Sequence, residues 1–276
     1  MARLSATIAV LILLSSSSIS VSSQAPIKLK NNPTLAVIDA GSWKPIQKGV
    51  EFRKMALERS EPSHALDLKL LRFDTQWIVP RVLRSAQFQL KGASAKTFAE
   101  KSGALATINA SYFDTDGKPL AFLKVASQAI NSRVAKNSLY TGVFSIKGQQ
   151  PLISHRDHFL PEQADEGLQS GPLLLLHGTA QAVTGVPNRA SRRALIGIDQ
   201  EQRLVIAVAD SLFGGLRWPE LQEIFSAAPW QIQVMDLLNL DGGGSAQLYV
   251  KAGKFEEAVA GTAEVPVAIG FFNRAH

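Results

Sequence analysis

The chain contains no cysteine and only three methionines in 276 residues. The first absence excludes disulfides, thiolate nucleophiles and cysteine-type zinc sites. Long apolar runs are missing too: the longest candidate, Ile8 to Leu14, falls far short of the roughly 20 residues a bilayer span needs. Several catalytic signatures are also absent. Ser245 is followed by Ala246 and Gln247, so there is no GxSxG elbow. Gly242-Gly243-Gly244 completes neither a dinucleotide fingerprint nor a P-loop. Charged residues make up 19% and hydrophobic residues 46% of the chain, which suits a globular protein whose core needs no covalent staple.

Met1 to Arg3 is a short basic start, followed by the apolar run and then by the small, mostly polar stretch Ser15 to Ser23. That is the plan of a secretory signal peptide. Val21 and Ser23 fit the cleavage rule, so 1–23 is expected to be removed and the protein exported to a periplasm or the exterior, with no membrane segment left. Loss of Arg3 reduces the formal charge from +6 to +5. In that compartment a mild positive charge fits a phosphorylated sugar or anionic glycan rather than nucleic acid.

Residues 24–48, broken by Pro26, Pro33, Gly41 and Pro45, are expected to form a tail and lead-in loop before a domain over 49–276. From Val50 the hydrophobic period becomes two, and Leu66, Leu68 and Leu70 alternate with Asp67 and Lys69, predicting half-buried strands. Ser94 and Gly103 bracket a short helix. Hairpins are expected around Gly148 and around Asp199 to Gln202. Pro219 suits the first position of a helix, with Glu220 favourable to its dipole, and Leu221, Ile224 and Phe225 give it one apolar face. With no repeat and no linker, the fold class is α+β: one β-rich domain, a mixed sheet and a few packed helices.

The stretch Asp236 to Val250 concentrates the chemistry. Asn239 and Asp241 alternate with Leu238 and Leu240, so in a strand they share one face. Three glycines and Ser245 follow, more than a hairpin needs, which suits a backbone lying close to a ligand with its N–H groups presented. Asn109 stands where a buried strand ends, before Ser111-Tyr112-Phe113. Ser170-Gly171-Pro172 turns into four leucines, and Arg192 and Arg193 precede another strand. Arginine forks and backbone N–H groups suit phosphate; a carboxylate with an amide neighbour suits sugar hydroxyls or acid/base work at an acetal carbon. Asp114-Thr115-Asp116-Gly117-Lys118 resembles part of a calcium loop. Its glycine comes too early, however, and valine stands at the twelfth position, so it reads as a turn. His155 and His158 lack a third metal ligand.

Asn109-Ala-Ser-Tyr112-Phe113, Gln169 to Pro172, Arg193 to Gly197, Gly214-Gly215-Leu216 with Glu220-Leu221, and Asn239 to Ser245 occur in the order seen in the phosphodiester glycosidase family, which the chain resembles from about Trp43 to Phe272. The resemblance implies hydrolysis of a sugar-1-phosphodiester to a sugar and a phosphomonoester. It implies a pocket in which Asp241, Asn109, Arg193 and Glu220 are the catalytic candidates. Tyr112, Ser170, Gly171, Arg192, Asn239, Gly242, Gly243, Gly244 and Ser245 are the expected substrate-binding residues. No cofactor is required by it, and the need for a divalent cation stays open. Ala110 and Ser111 stand where the family usually has glycines, and Ala194 where it has a hydroxyl residue, which points to an altered pocket. Two other readings remain at this stage: a non-catalytic glycan-binding envelope protein, and a metal-dependent phosphodiesterase cleaving the P–O bond through Asp114, Asp116 or Asp241.

Overall fold

Strands Ala194–Asp199 and Leu204–Asp210 are apolar along nearly their whole length because both of their faces are covered. They lie in the middle of the largest sheet of a computed structural model that describes residues 26–275. The expected signal peptide lies outside the described residues. From one edge to the other the sheet runs Ile27–Lys28, Leu35–Asp39, Val50–Ser60, Ser63–Phe73, Leu204–Asp210, Ala194–Asp199, Val234–Asn239, Leu173–Leu176 and Thr179–Ala180, with Lys44–Gln47 beside Val50–Ser60. The segment expected to be a tail and lead-in loop therefore supplies three strands.

Two five-stranded sheets cover one face of this sheet. One holds Gln150–His155, Gly142–Lys147, Glu166–Ser170, Leu123–Val125 and Gln128–Asn131. The other holds Phe255–Val259, Leu248–Ala252, Ala106–Asn109, Val267–Asn273 and Ile78–Arg84. Alternation along each strand sorts the side chains. Ala194, Ile196, Ile198, Leu204, Ile206 and Val208 enter the core shared with the small sheets, while Leu195, Val205, Ala207 and Ala209 enter a second core on the other face.

That second face is closed by helix α2, Trp218–Ser226, whose Trp218, Leu221, Ile224 and Phe225 are buried against the sheet. Full burial of a side chain such as Leu221, Ile224 or Phe225 contributes about 1.5–3 kcal/mol. The helix begins one residue before Pro219, and Glu220 accepts the Arg217 N–H at 2.7 Å. Helix α1, Ala95–Ser102, lies on the third sheet; Ser94 caps it through the Thr97 N–H, and Gly103 closes it at φ +76°. The turn between Ile27–Lys28 and Leu35–Asp39 is fastened to α2, since Glu223 accepts the N–H groups of Lys30 and Asn31 at 2.7 and 2.9 Å.

The described residues are β-rich with two α-helices, and among them antiparallel pairing throughout replaces the expected mixed sheet. Parallel neighbours require long crossovers, usually helical. Here many strands follow one another through hairpins or pass from one sheet to another, while α2 joins Leu204–Asp210 to Val234–Asn239 across Ala194–Asp199, and α1 joins Ile78–Arg84 to Ala106–Asn109 within the third sheet.

Candidate active site

Three of those passages between sheets converge. Residues 110–122 lead from the third sheet to the second, Gly171-Pro172 from the second to the main sheet, and 240–247 from the main sheet to the third. Backbone that leaves a sheet inside the protein needs new hydrogen-bond partners. Four buried amides provide them: Asn109, Gln169, Asn239 and Gln247, all 2% exposed or less.

Asn109 donates to the Asp241 carbonyl at 2.7 Å and accepts the Gln247 N–H at 3.0 Å. Gln169 accepts the Ala135 N–H and donates to the Ala135 and Tyr140 carbonyls. Asn239 donates to the Gly171 carbonyl at 2.8 Å and to the Tyr112 hydroxyl at 3.1 Å. That hydroxyl in turn donates toward the Gly171 carbonyl at 3.0 Å. Gln247 fastens the loop to the N–H of Ala95 and the carbonyl of Ala263. Asn109, expected to meet substrate, instead shapes the loop that carries Asp241. Ser170 is wholly buried with its hydroxyl unpartnered. A Cβ on Gly171 would lie 1.9 Å from the Leu139 carbonyl oxygen, so the turn has no room for a side chain.

The pairing Leu195 to Asn239, continued by the hydrogen bond from Leu240 N–H to the Ala194 carbonyl, sets Arg193 opposite Asp241 at the end of neighbouring strands. Both occupy the α2 side of the sheet, as does Asn239. Arg193 is buried with its guanidinium 3.5 Å from the centre of the Trp218 ring. Its Nε donates to the Leu216 carbonyl and its Nη2 to the Arg189 carbonyl. Nη1 makes no hydrogen bond to the described residues. Burial lowers its pKa to about 10, against the raising effect of Tyr112 and Glu220.

Asp241 makes no ion pair among the described residues. Burial raises its carboxyl to about pKa 6, although the Ser245 hydroxyl and the Gly242 N–H oppose the shift by stabilising the carboxylate. Tyr112 and Tyr140 both sense that carboxylate: burial first, then Asp241, pushes both phenols upward. Their rings are 5.4 Å apart. Tyr140 is one residue the sequence reading missed. Trp218 is another, its only signal being an aromatic beside the proline that opens a helix.

The glycine loop differs from expectation. A Cβ on Gly242 would come within 2.8 Å of the Arg192 carbonyl oxygen, and one on Gly244 within 2.6 Å of Thr262 Oγ1. These two glycines let the loop approach the protein itself. Gly243 supplies φ +59°. The N–H groups of Gly243, Ser245 and Ala246 bond to the carbonyls of Arg192, Gly242 and Gly243, so they do not form an open cradle. Gly244 N–H has no protein acceptor among the described residues. Arg192 reaches the Ala246 and Ala260 carbonyls at 2.8 and 2.6 Å, bracing the loop.

Glu220 is not placed for acid/base work. It is 1% exposed, paired with the equally buried Arg59 at 2.8 Å, and it caps its own helix while accepting from Asn32. Asp114 and Asp116 do not join Asp241. They line a separate cavity of 1010 Å³ whose walls include none of the residues around Asp241. No group of three His, Cys, Asp or Glu among the described residues is placed to hold a metal ion. The rings of His155 and His158 lie 6.2 Å apart, and Asp157 stands 3.4 Å from His155.

Comparison with known proteins follows the same lines. The chain resembles the catalytic domain of zebrafish N-acetylglucosamine-1-phosphodiester alpha-N-acetylglucosaminidase auto-inhibited by its pro-peptide, at TM-score 0.62 and 15% identity, over 87% of this chain and 88% of that one. It also resembles a hypothetical protein from Synechocystis, at TM-score 0.64 and 16% identity, over 87% of this chain and 65% of that one. A Burkholderia pseudomallei protein described as exported aligns at TM-score 0.51 and 12% identity, over 75% and 74% of the two chains. At these identities the likeness shows the fold alone. No curated protein sequence matches the chain. A sequence profile of the phosphodiester glycosidase family, however, matches residues 102–272, more than half of the chain and every candidate residue discussed above. The chain belongs to the phosphodiester glycosidase family.

Proposed function

We propose that the protein is an exported hydrolase that cleaves the glycosidic C–O bond of a sugar-1-phosphodiester in an envelope or extracellular glycan. The observation that carries this reading is the pair at the strand ends: a carboxyl at about pKa 6 on the residue that stands opposite, in strand register, a buried and stacked arginine. Membership of the family supplies the substrate class.

In this mechanism Arg193 binds the phosphodiester through Nη1, helped by the Gly244 N–H, and neutralises the charge that grows as the bond breaks. The electrons of the C–O bond leave with the phosphate oxygen, giving a phosphomonoester. Water adds to the anomeric carbon and Asp241, ionised, takes its proton. A carboxylate with a pKa near the working pH suits that task better than one at its ordinary value. Tyr112, held by Asn239 and Gly171, borders the sugar position. Asn109, Ser170, Gly171, Arg192 and Glu220 hold the frame and take no chemical step.

Two measurements test the reading. Asp241→Asn is expected to lose hydrolysis of a panel of sugar-1-phosphodiesters, and undiminished turnover would remove Asp241 from the chemistry. Hydrolysis in ¹⁸O-water is expected to label the sugar. Label in the phosphate would mean P–O cleavage and overturn the assignment.

A further inference from the structure

The 1010 Å³ cavity lies between the two smaller sheets, floored by the core residues Leu123 and Val267. One wall is the loop Phe113 to Pro119, and the opposite wall comes from Arg84 to Gly92 and from Glu264 and Pro266. A volume of that order matches a ligand of several rings; ligand pockets span about 300–1,000 Å³. It is also preformed. Asp114 accepts the N–H groups of Asp116 and Lys118 at 2.9 and 2.8 Å, Phe113 bridges to Pro119, and Asn131 donates to the Pro119 carbonyl at 2.8 Å.

The lining decides the ligand class. Arg84, Lys91 and Lys118 are balanced by Asp114, Asp116 and Glu264, so the cavity has no net charge with which to attract a polyanion. Lys118 is already paired with Asp116 at 3.3 Å. Arg84, Lys91 and Glu264 make no ion pair among the described residues, which leaves charged donors and acceptors free for neutral hydroxyls. Phe113, Leu90, Pro119, Ile130 and Pro266 supply apolar faces between them. Apolar faces interspersed with polar groups in a preformed cavity of this volume fit the C–H faces and hydroxyls of a sugar chain. The same loop presents Tyr112 to the Asp241 cluster and Phe113, its neighbour, to this cavity.

We infer that this cavity is a binding subsite for a short neutral oligosaccharide, separate from the phosphodiester centre. Binding is read without turnover, so the subsite can fail while hydrolysis stands, and the reverse. The full chain is titrated with cellotetraose, chitotetraose and maltotetraose, with affinity measured by calorimetry and contacts mapped by amide chemical shifts. At least one of the three is expected to saturate, with shifts centred on Gly92 and Asp114 to Lys118. Ala86→Trp and Thr115→Trp, both at exposed positions on the rim, are expected to weaken that binding by about tenfold or more, while Asp241→Asn leaves it unchanged. Failure of all three sugars to saturate, or shifts confined to other surfaces, overturns the inference. So does binding that survives intact in both folded tryptophan variants.

Discussion

Arg193 and Asp241 stand opposite each other at the ends of adjacent antiparallel strands and yet form no ion pair. The guanidinium turns away to lie on Trp218 and to reach the carbonyls of Leu216 and Arg189. Asp241 is left in partly buried surroundings with only a hydroxyl and an N–H to favour its charge. Had the two paired, the carboxyl would be held below its ordinary pKa. Unpaired, the carboxyl keeps the raised pKa that the proposed base requires.

The first prediction concerns pH. If Asp241 accepts a proton from water, kcat/KM falls as pH drops below about 6, where the carboxyl protonates. Asp241→Asn should lower kcat by about 10²–10⁴-fold and flatten that limb of the profile. Stability moves the other way. A folded-state pKa above the unfolded one means the stabilising contribution is full below about pH 4 and is lost as pH rises through about 6. At pH 7 the asparagine variant is therefore expected to melt no lower than the parent, and a clearly lower Tm would contradict the origin given for the shift.

Arg193→Lys should keep the charge and lose the fork. The ammonium cannot span both carbonyls and also lie flat on an indole. A loss of roughly tenfold or more in kcat/KM, about 1.4 kcal/mol, is expected. Trp218→Leu should move the same parameter in the same direction without touching substrate. Steady-state kinetics on both variants would show whether their effects run parallel.

For Glu220 the buried pair with Arg59 predicts a structural phenotype. Glu220→Ala leaves an uncompensated arginine and should cost about 3–5 kcal/mol. Glu220→Gln keeps the shape of the cap and should lower the urea midpoint, with kcat per folded molecule within about threefold of the parent. A folded Glu220→Gln variant with no turnover would return Glu220 to the chemistry.

Asn109→Ala unpairs the partly buried Asp241 carbonyl and the buried Gln247 N–H. Each such loss costs about 1–3 kcal/mol. Because the amide faces the loop, the variant should reduce stability and kcat together while KM changes little. A change in KM alone would mean that Asn109 contacts substrate after all.

Much of the local structure was legible. The hairpins at 142–155 and 194–210, the Ser94 cap and the Gly103 stop follow from period and turn chemistry acting over a few residues. The convergence of Tyr112, Gly171, Arg193 and Asp241 on one region was legible only as an ordered set of motifs. What escaped is long-range. An asparagine aimed at a sugar and one aimed at a backbone carbonyl are the same letter, and only burial separates them for Asn109. The partner of Glu220 lies 161 positions away at Arg59, beyond any spacing rule. Glycines at 242 and 244 suggested ligand approach, but it is Arg192 and Thr262 that crowd them.

The antiparallel ladders joining Ser63–Phe73 to Leu204–Asp210 and Ile78–Arg84 to Val267–Asn273 reach across the start of the family match at residue 102. The edge of recognisable ancestry is thus not an edge of cooperative folding. A fragment trimmed to 102–272 would expose two long apolar strand edges, each a template for intermolecular pairing. Dissection of the chain at boundaries drawn from sequence similarity should therefore give aggregates.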